Sequence, residues 1–98
     1  MADTIPDRAK GLMKRHWRII GSYDEDTGEN KRDAYRSAAV INAIRTYYGE
    51  PPMSFDKLGG EYVNNDTLSD LGYESVSFEA SDADFVTLSP DTDETVEE

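Results

Sequence analysis

Ninety-eight residues suffice for one small domain, and 37% apolar content with ten aromatic side chains provides a modest core. Ten Lys/Arg against 21 Asp/Glu leave a net charge of −11, the most distinctive number in the composition. The lack of cysteine excludes disulfide scaffolds, thiolate metal sites and cysteine nucleophiles, and a single histidine, His16, leaves no histidine-rich zinc site.

The first predicted element is a helix from about Ile5 to Ile20. Thr4 is placed to cap it, with Asp7 three residues on and Pro6 tolerated in the first turn. At 100° per residue, Ile5, Ala9, Leu12, Met13, His16, Trp17, Ile19 and Ile20 share one arc. Arg8, Lys10, Lys14, Arg15 and Arg18 share the opposite one, and Gly21 ends the run. Residues 22–30 read as a turn or loop; a hairpin there would make Trp17–Tyr23 a strand, but the five-base face favours helix.

A second helix is predicted from Asn30, with Asn30 and Asp33 in a capping pattern, to Tyr48. Its apolar stripe is Ala34, Ser37, Val40, Ile41, Ile44, Tyr47 and Tyr48. Gly49 and Pro51-Pro52 stop it. Single helical turns are expected at Ser54–Leu58 and Asp66–Leu71, closed by Gly59-Gly60 and Gly72. Tyr73–Ala80 alternates like a strand, with Val76, Phe78 and Ala80 on one face. After a turn at residues 81–84, Phe85–Leu88 is expected to pair back, and a further strand near Glu61–Asn64 is a candidate third member. Residues 90–98 read as a disordered acidic tail. The expected fold is therefore α+β over residues 1–89, two N-terminal amphipathic helices packed on a small antiparallel hairpin or sheet.

Charge is divided unevenly along this plan. Residues 1–49 hold nine bases against seven acids; residues 50–98 hold Lys57 alone against 14 acids, a balance of −13. Asp56, Glu61, Asp66, Asp70, Glu74, Glu79, Asp82 and Asp84 recur every two to five residues through a region expected to fold. Duplex DNA presents one negative charge per about 1.7 Å of axis, so such a surface is suited to occupy a cationic groove. Asp91, Asp93, Glu94, Glu97 and Glu98 would steer the encounter. In size and acidity the chain is similar to acidic phage-type inhibitors. Tyr62 and Tyr73, with Tyr35, are expected as surface contacts, and Tyr47 and Tyr48 as core.

Asp70-Leu71-Gly72-Tyr73-Glu74-Ser75-Val76 resembles the phosphopantetheine attachment motif of acyl carrier proteins, which would put the prosthetic group on Ser75. That family continues into a long helix directly after the serine. Here a strand-like alternation follows, and too little chain remains for the family's later helices, so no cofactor is expected. Asp24, Glu25, Asp26 and Glu29 invite a calcium loop, but placing Gly28 at its sixth position puts Tyr23 at the first and Ala34 at the twelfth, and the register fails. His16 on an apolar arc reads as a satisfied core residue. Without a phosphate loop, nucleophile elbow or metal motif, no enzyme is expected.

The leading expectation is a non-catalytic acidic module that binds a basic, nucleic-acid-binding protein, as a viral anti-defence inhibitor would. Its location would be cytoplasmic, in the host cytoplasm if viral, since neither an apolar span nor a secretory apolar core occurs. Two alternatives stand beside it. One is nucleic-acid association through Arg8, Lys10, Lys14, Arg15 and Arg18; the other is a structural protein whose acidity reflects a saline host.

Overall fold

Helix α2, Lys31–Tyr47, is the element around which the rest is built in the computed structural model, which describes residues 5–79. Ala34, Tyr35, Ser37, Ala38, Ala39, Ile41, Asn42 and Ile44 are all buried, so well over half of its circumference is covered. The three alanines let neighbouring elements approach the helix closely. Helix α1, Asp7–Gly21, packs along it in the antiparallel sense that a short connection favours. Ile20 near the end of α1 joins Ala34 and Ala38 near the start of α2. Ala9 near the start of α1 meets Ile44 near the end of α2.

After α2 the chain forms β1 (Ser54–Phe55), a 3-10 turn (Asp56–Leu58), β2 (Glu61–Tyr62) and α3 (Asn65–Asp70). β1 and β2 pair antiparallel, with Ser54 opposite Tyr62 and Phe55 opposite Glu61. Two residues per strand supply little pairing of their own, and the sheet holds because Phe55, Leu58, Val63 and Leu68 drive inward onto α2. Buried Asn42 completes the attachment. Its Nδ2 donates to the carbonyls of Met53 (3.0 Å) and Val63 (2.9 Å), and its Oδ1 accepts from the Met53 N–H (2.8 Å). One amide thus bonds the segments entering β1 and leaving β2.

The α+β plan with two packed N-terminal helices and a small antiparallel sheet is present. The strands are not those the alternation predicts. Tyr73–Glu79 forms no strand; it runs along α2, from Tyr73 beside Tyr35 (ring centroids 6.4 Å) to Phe78 against Tyr47 and Tyr48 (5.4 and 6.2 Å). Its hydrogen-bonding partner is a side chain. The Asn65 amide donates to the Val76 carbonyl (2.9 Å) and accepts from the Val76 N–H (2.8 Å), as a neighbouring strand would. Ala80, the turn at 81–84, Phe85–Leu88, the end of the expected domain and the tail at 90–98 lie outside the described residues.

The cap expected at Asn30 does not form. α1 begins after Pro6 without a side-chain cap, and Thr4 lies outside the described residues. Asn30 precedes α2 in the left-handed region (φ 67°), and its Nδ2 donates instead to the Ser22 carbonyl (3.1 Å), tying the end of α1 to the start of α2. The capping box occurs at α3, where Asn64 and Thr67 exchange hydrogen bonds (3.1 and 3.3 Å). The 3-10 turn and α3 match the two expected single turns. Gly59, Gly60 and Gly72 follow them at φ 80°, 76° and 80°, the conformation glycine adopts without strain.

Candidate functional site

The described residues hold all ten bases and 13 of the 21 acids, a balance of −3. The other eight acids, Asp82 and Asp84 among them, lie outside the described residues and bring no base with them. Within the fold, the charge is polarised. Asp56, Glu61, Asp66, Asp70, Glu74 and Glu79 are all exposed on the C-terminal elements, and Arg8, Lys10, Lys14, Arg15 and Arg18 are all exposed on α1.

The fold brings only some of the expected contact residues together. Asp66 and Asp70 stand one turn apart on α3, where side chains at i and i+4 are neighbours. Tyr62, 62% exposed, adjoins them because the Thr67 hydroxyl of α3 donates to the Tyr62 carbonyl (3.1 Å). Glu61 lies near Tyr35; burial first, and the Glu61 carboxylate second, raise the Tyr35 phenol above its ordinary pKa. Asp56 stands apart, in a cleft with Trp17 and Lys57. Glu79 follows Phe78, which packs at the far end of α2.

Lys57, the one base of the C-terminal half, has a structural task. Its Nζ donates to the Gly21 carbonyl (3.0 Å) at the C-terminus of α1, the end at which a helix dipole favours a cation. Asp24 is likewise occupied. Its Oδ1 accepts from the Asp26 and Thr27 N–H groups (2.9 and 3.1 Å) and shapes the 22–30 turn. Among the described residues no group of three or more His, Asp or Glu is placed to hold a metal ion.

Three tyrosines and the tryptophan depart from expectation. Tyr35 is buried and carries Lys31 Nζ 6.0 Å above its ring, while Tyr73 is half-buried. Tyr47, expected in the core, is 52% exposed at the edge of the apolar arc of α2. Trp17 lies at the edge of the apolar arc of α1 and is 44% exposed, its ring tilted against Phe55 at 5.5 Å. Ser75 is exposed and starts no helix, so the resemblance to the carrier-protein motif ends with its local sequence.

His16 does face inward, but into a polar setting. Its Nδ1 is 2.9 Å from the hydroxyl of buried Ser37, the two sharing a hydrogen bond. Burial, then the positive charges of Arg15 and Arg36, lower its pKa to about 4, so the ring is neutral at pH 7. The pair borders a cleft of about 320 Å³ that also takes in Asp33, Arg36 and Val76. Arg36 also borders a second cleft, and its buried Nε has no acceptor, an omission that typically costs about 1–3 kcal/mol. No periodicity argument reaches Asn42 or Asn65, because each bonds a partner distant in sequence, or the buried Arg36 Nε, whose surroundings form only on folding.

Comparison with protein-family models, curated proteins and solved structures finds no match to this chain. No helix among the described residues is long and apolar enough to cross a membrane.

Proposed function

We propose that this protein is a non-catalytic binding module whose acidic C-terminal half engages a basic, nucleic-acid-binding surface of another protein. In its most specific form it is a mimic of nucleic-acid charge, the device a virus-encoded inhibitor of host defence would use. The observation that carries the reading is the exposure of Glu61, Tyr62, Asp66, Asp70 and Glu74 on the C-terminal elements, with Lys57 bonded to the Gly21 carbonyl rather than to any of these acids. A competitor of this kind gains cationic contacts through carboxylates alone. The exposed tyrosine adds a rigid anchor of the type enriched at interface hot spots.

The test is affinity capture on the full chain from a bacterial lysate, with and without excess duplex DNA. The expected result is a nucleic-acid-handling protein that DNA displaces. A variant with Glu61→Gln, Asp66→Asn, Asp70→Asn, Glu74→Gln and Glu79→Gln, folded by circular dichroism, should lose it. Capture undiminished in that variant sinks the reading.

A second reading rests on one specific feature of α1. Lys10, Lys14 and Arg18 lie on the same exposed face as the half-open indole of Trp17. Cations beside an aromatic platform suit single-stranded nucleic acid. Recovery of nucleic acid itself, lost on reversing charge at Lys14, Arg15 and Arg18, would favour that reading.

A further inference from the structure

On the first two turns of α2, two cations face a cleft. Arg32 and Arg36 are four residues apart, so their side chains rise from one face of the helix. Gly72, Tyr73 and Glu74 form the opposite wall, and the space between is about 290 Å³. Both walls are held in place. The Gly72 and Tyr73 N–H groups donate to the Ser69 and Leu68 carbonyls (3.0 and 2.8 Å), and Asn65 fixes Val76 just beyond.

The charges lining this cleft do not cancel. Two guanidiniums face one carboxylate, and among the described residues neither arginine forms an ion pair with Glu74 or any other acid. Arg36 Nε is buried with no acceptor. The space and the excess positive charge call for one thing, a compact acceptor bearing a negative charge, and the unsatisfied Nε belongs to one of the two guanidiniums that would hold it. We propose that the cleft binds an oxyanion, the phosphate or carboxylate group of a small molecule, between the Arg32 and Arg36 guanidiniums. Their planar forks match such groups in pairs of parallel hydrogen bonds, which ammonium groups do not reproduce. The site uses cations that the acidic-face reading leaves aside and shares with that reading only Glu74, which here is the competing carboxylate.

The test is a nitrogen-edited NMR titration of the full chain with inorganic phosphate and, separately, with acetate. The expected result is saturable shifts at the Arg32 and Arg36 Nε–H signals and at the Gly72–Glu74 amides. Saturation by phosphate alone marks a tetrahedral ligand, and by acetate alone a planar one; either supports the site. Arg36→Gln should weaken binding about tenfold or more. Exposed Arg32→Gln is the second variant should that change disturb the fold. Glu74→Gln, which removes the competing carboxylate, should strengthen binding several-fold. Bound anion also offsets the Arg36 charge felt by His16, so the His16 titration should move upward with ligand. Shifts that fail to saturate, or that spread equally over Lys10, Lys14 and Arg18, would mean an adventitious ion only and overturn the proposal.

Discussion

Asn65 bonds both backbone polar groups of Val76, and through that single residue it decides where the last described stretch of chain lies. With its N–H and C=O both satisfied, Val76 stays at the cleft beside His16, and Phe78 reaches its place against Ile44. Asn65→Ala should remove the attachment while leaving the Asn64–Thr67 cap intact. The expected loss is about 1–2 kcal/mol, because water can replace the bonds at this exposed position. Amide exchange at Val76 should accelerate far more than at Ile41.

Asn42 is the costlier amide to lose. It is 2% exposed and makes three hydrogen bonds to backbone groups on either side of the small sheet. Asn42→Leu keeps the branching at Cγ but strands those groups, and should cost about 3 kcal/mol or more in urea unfolding. A change below about 1 kcal/mol would show that the strand ends find other partners.

His16 makes stability depend on pH. Its folded pKa of about 4 lies below the unfolded 6.5, so the unfolded chain binds more protons between those values. Stability therefore rises with pH through the window from 4 to 6.5 and falls on acidification across it. The shift corresponds to about 2–3 kcal/mol between pH 7 and pH 4. His16→Gln should flatten the urea midpoint across that window, and an unchanged slope would contradict the assignment.

Leu68 is the apolar anchor of α3, fully buried in the cluster with Phe55, Leu58 and Val63. Leu68→Ala should destabilise by about 2–5 kcal/mol. Because Tyr62 and Asp66 are positioned from this helix, the same change should weaken partner binding under the acidic-face reading.

Lys57→Met removes a cation from the C-terminus of α1 and should cost about 0.5–1 kcal/mol at low salt, less as salt screens the dipole. It should not lower affinity for a basic partner, since the variant carries one positive charge fewer.

Several features are dictated by local order alone. The 3.6-residue periodicity of residues 7–21 and 31–47 defines two helices, and it separates the cationic face of α1 from its buried side, because a helix repeats its faces whatever surrounds it. Gly59, Gly60 and Gly72 mark the ends of short turns, since left-handed backbone favours glycine. The polarity between the halves of the chain is likewise plain in the residue order.

What the tertiary structure decided is which polar groups meet. The alternation at Tyr73–Glu79 carries period-two faces, yet a strand also needs a backbone neighbour, and this stretch lies along α2 rather than beside β1 or β2. A side-chain amide took the neighbour's place. Trp17 and Tyr47 lie at arc edges, where exposure depends on how far the adjacent element reaches. Asn42, Arg36 and the His16–Ser37 pair acquire their roles from partners 11 or more residues away in sequence or across a cleft, and periodicity holds no record of such encounters. Faces are a local property of the chain; the partners of buried polar groups exist only once the chain has folded.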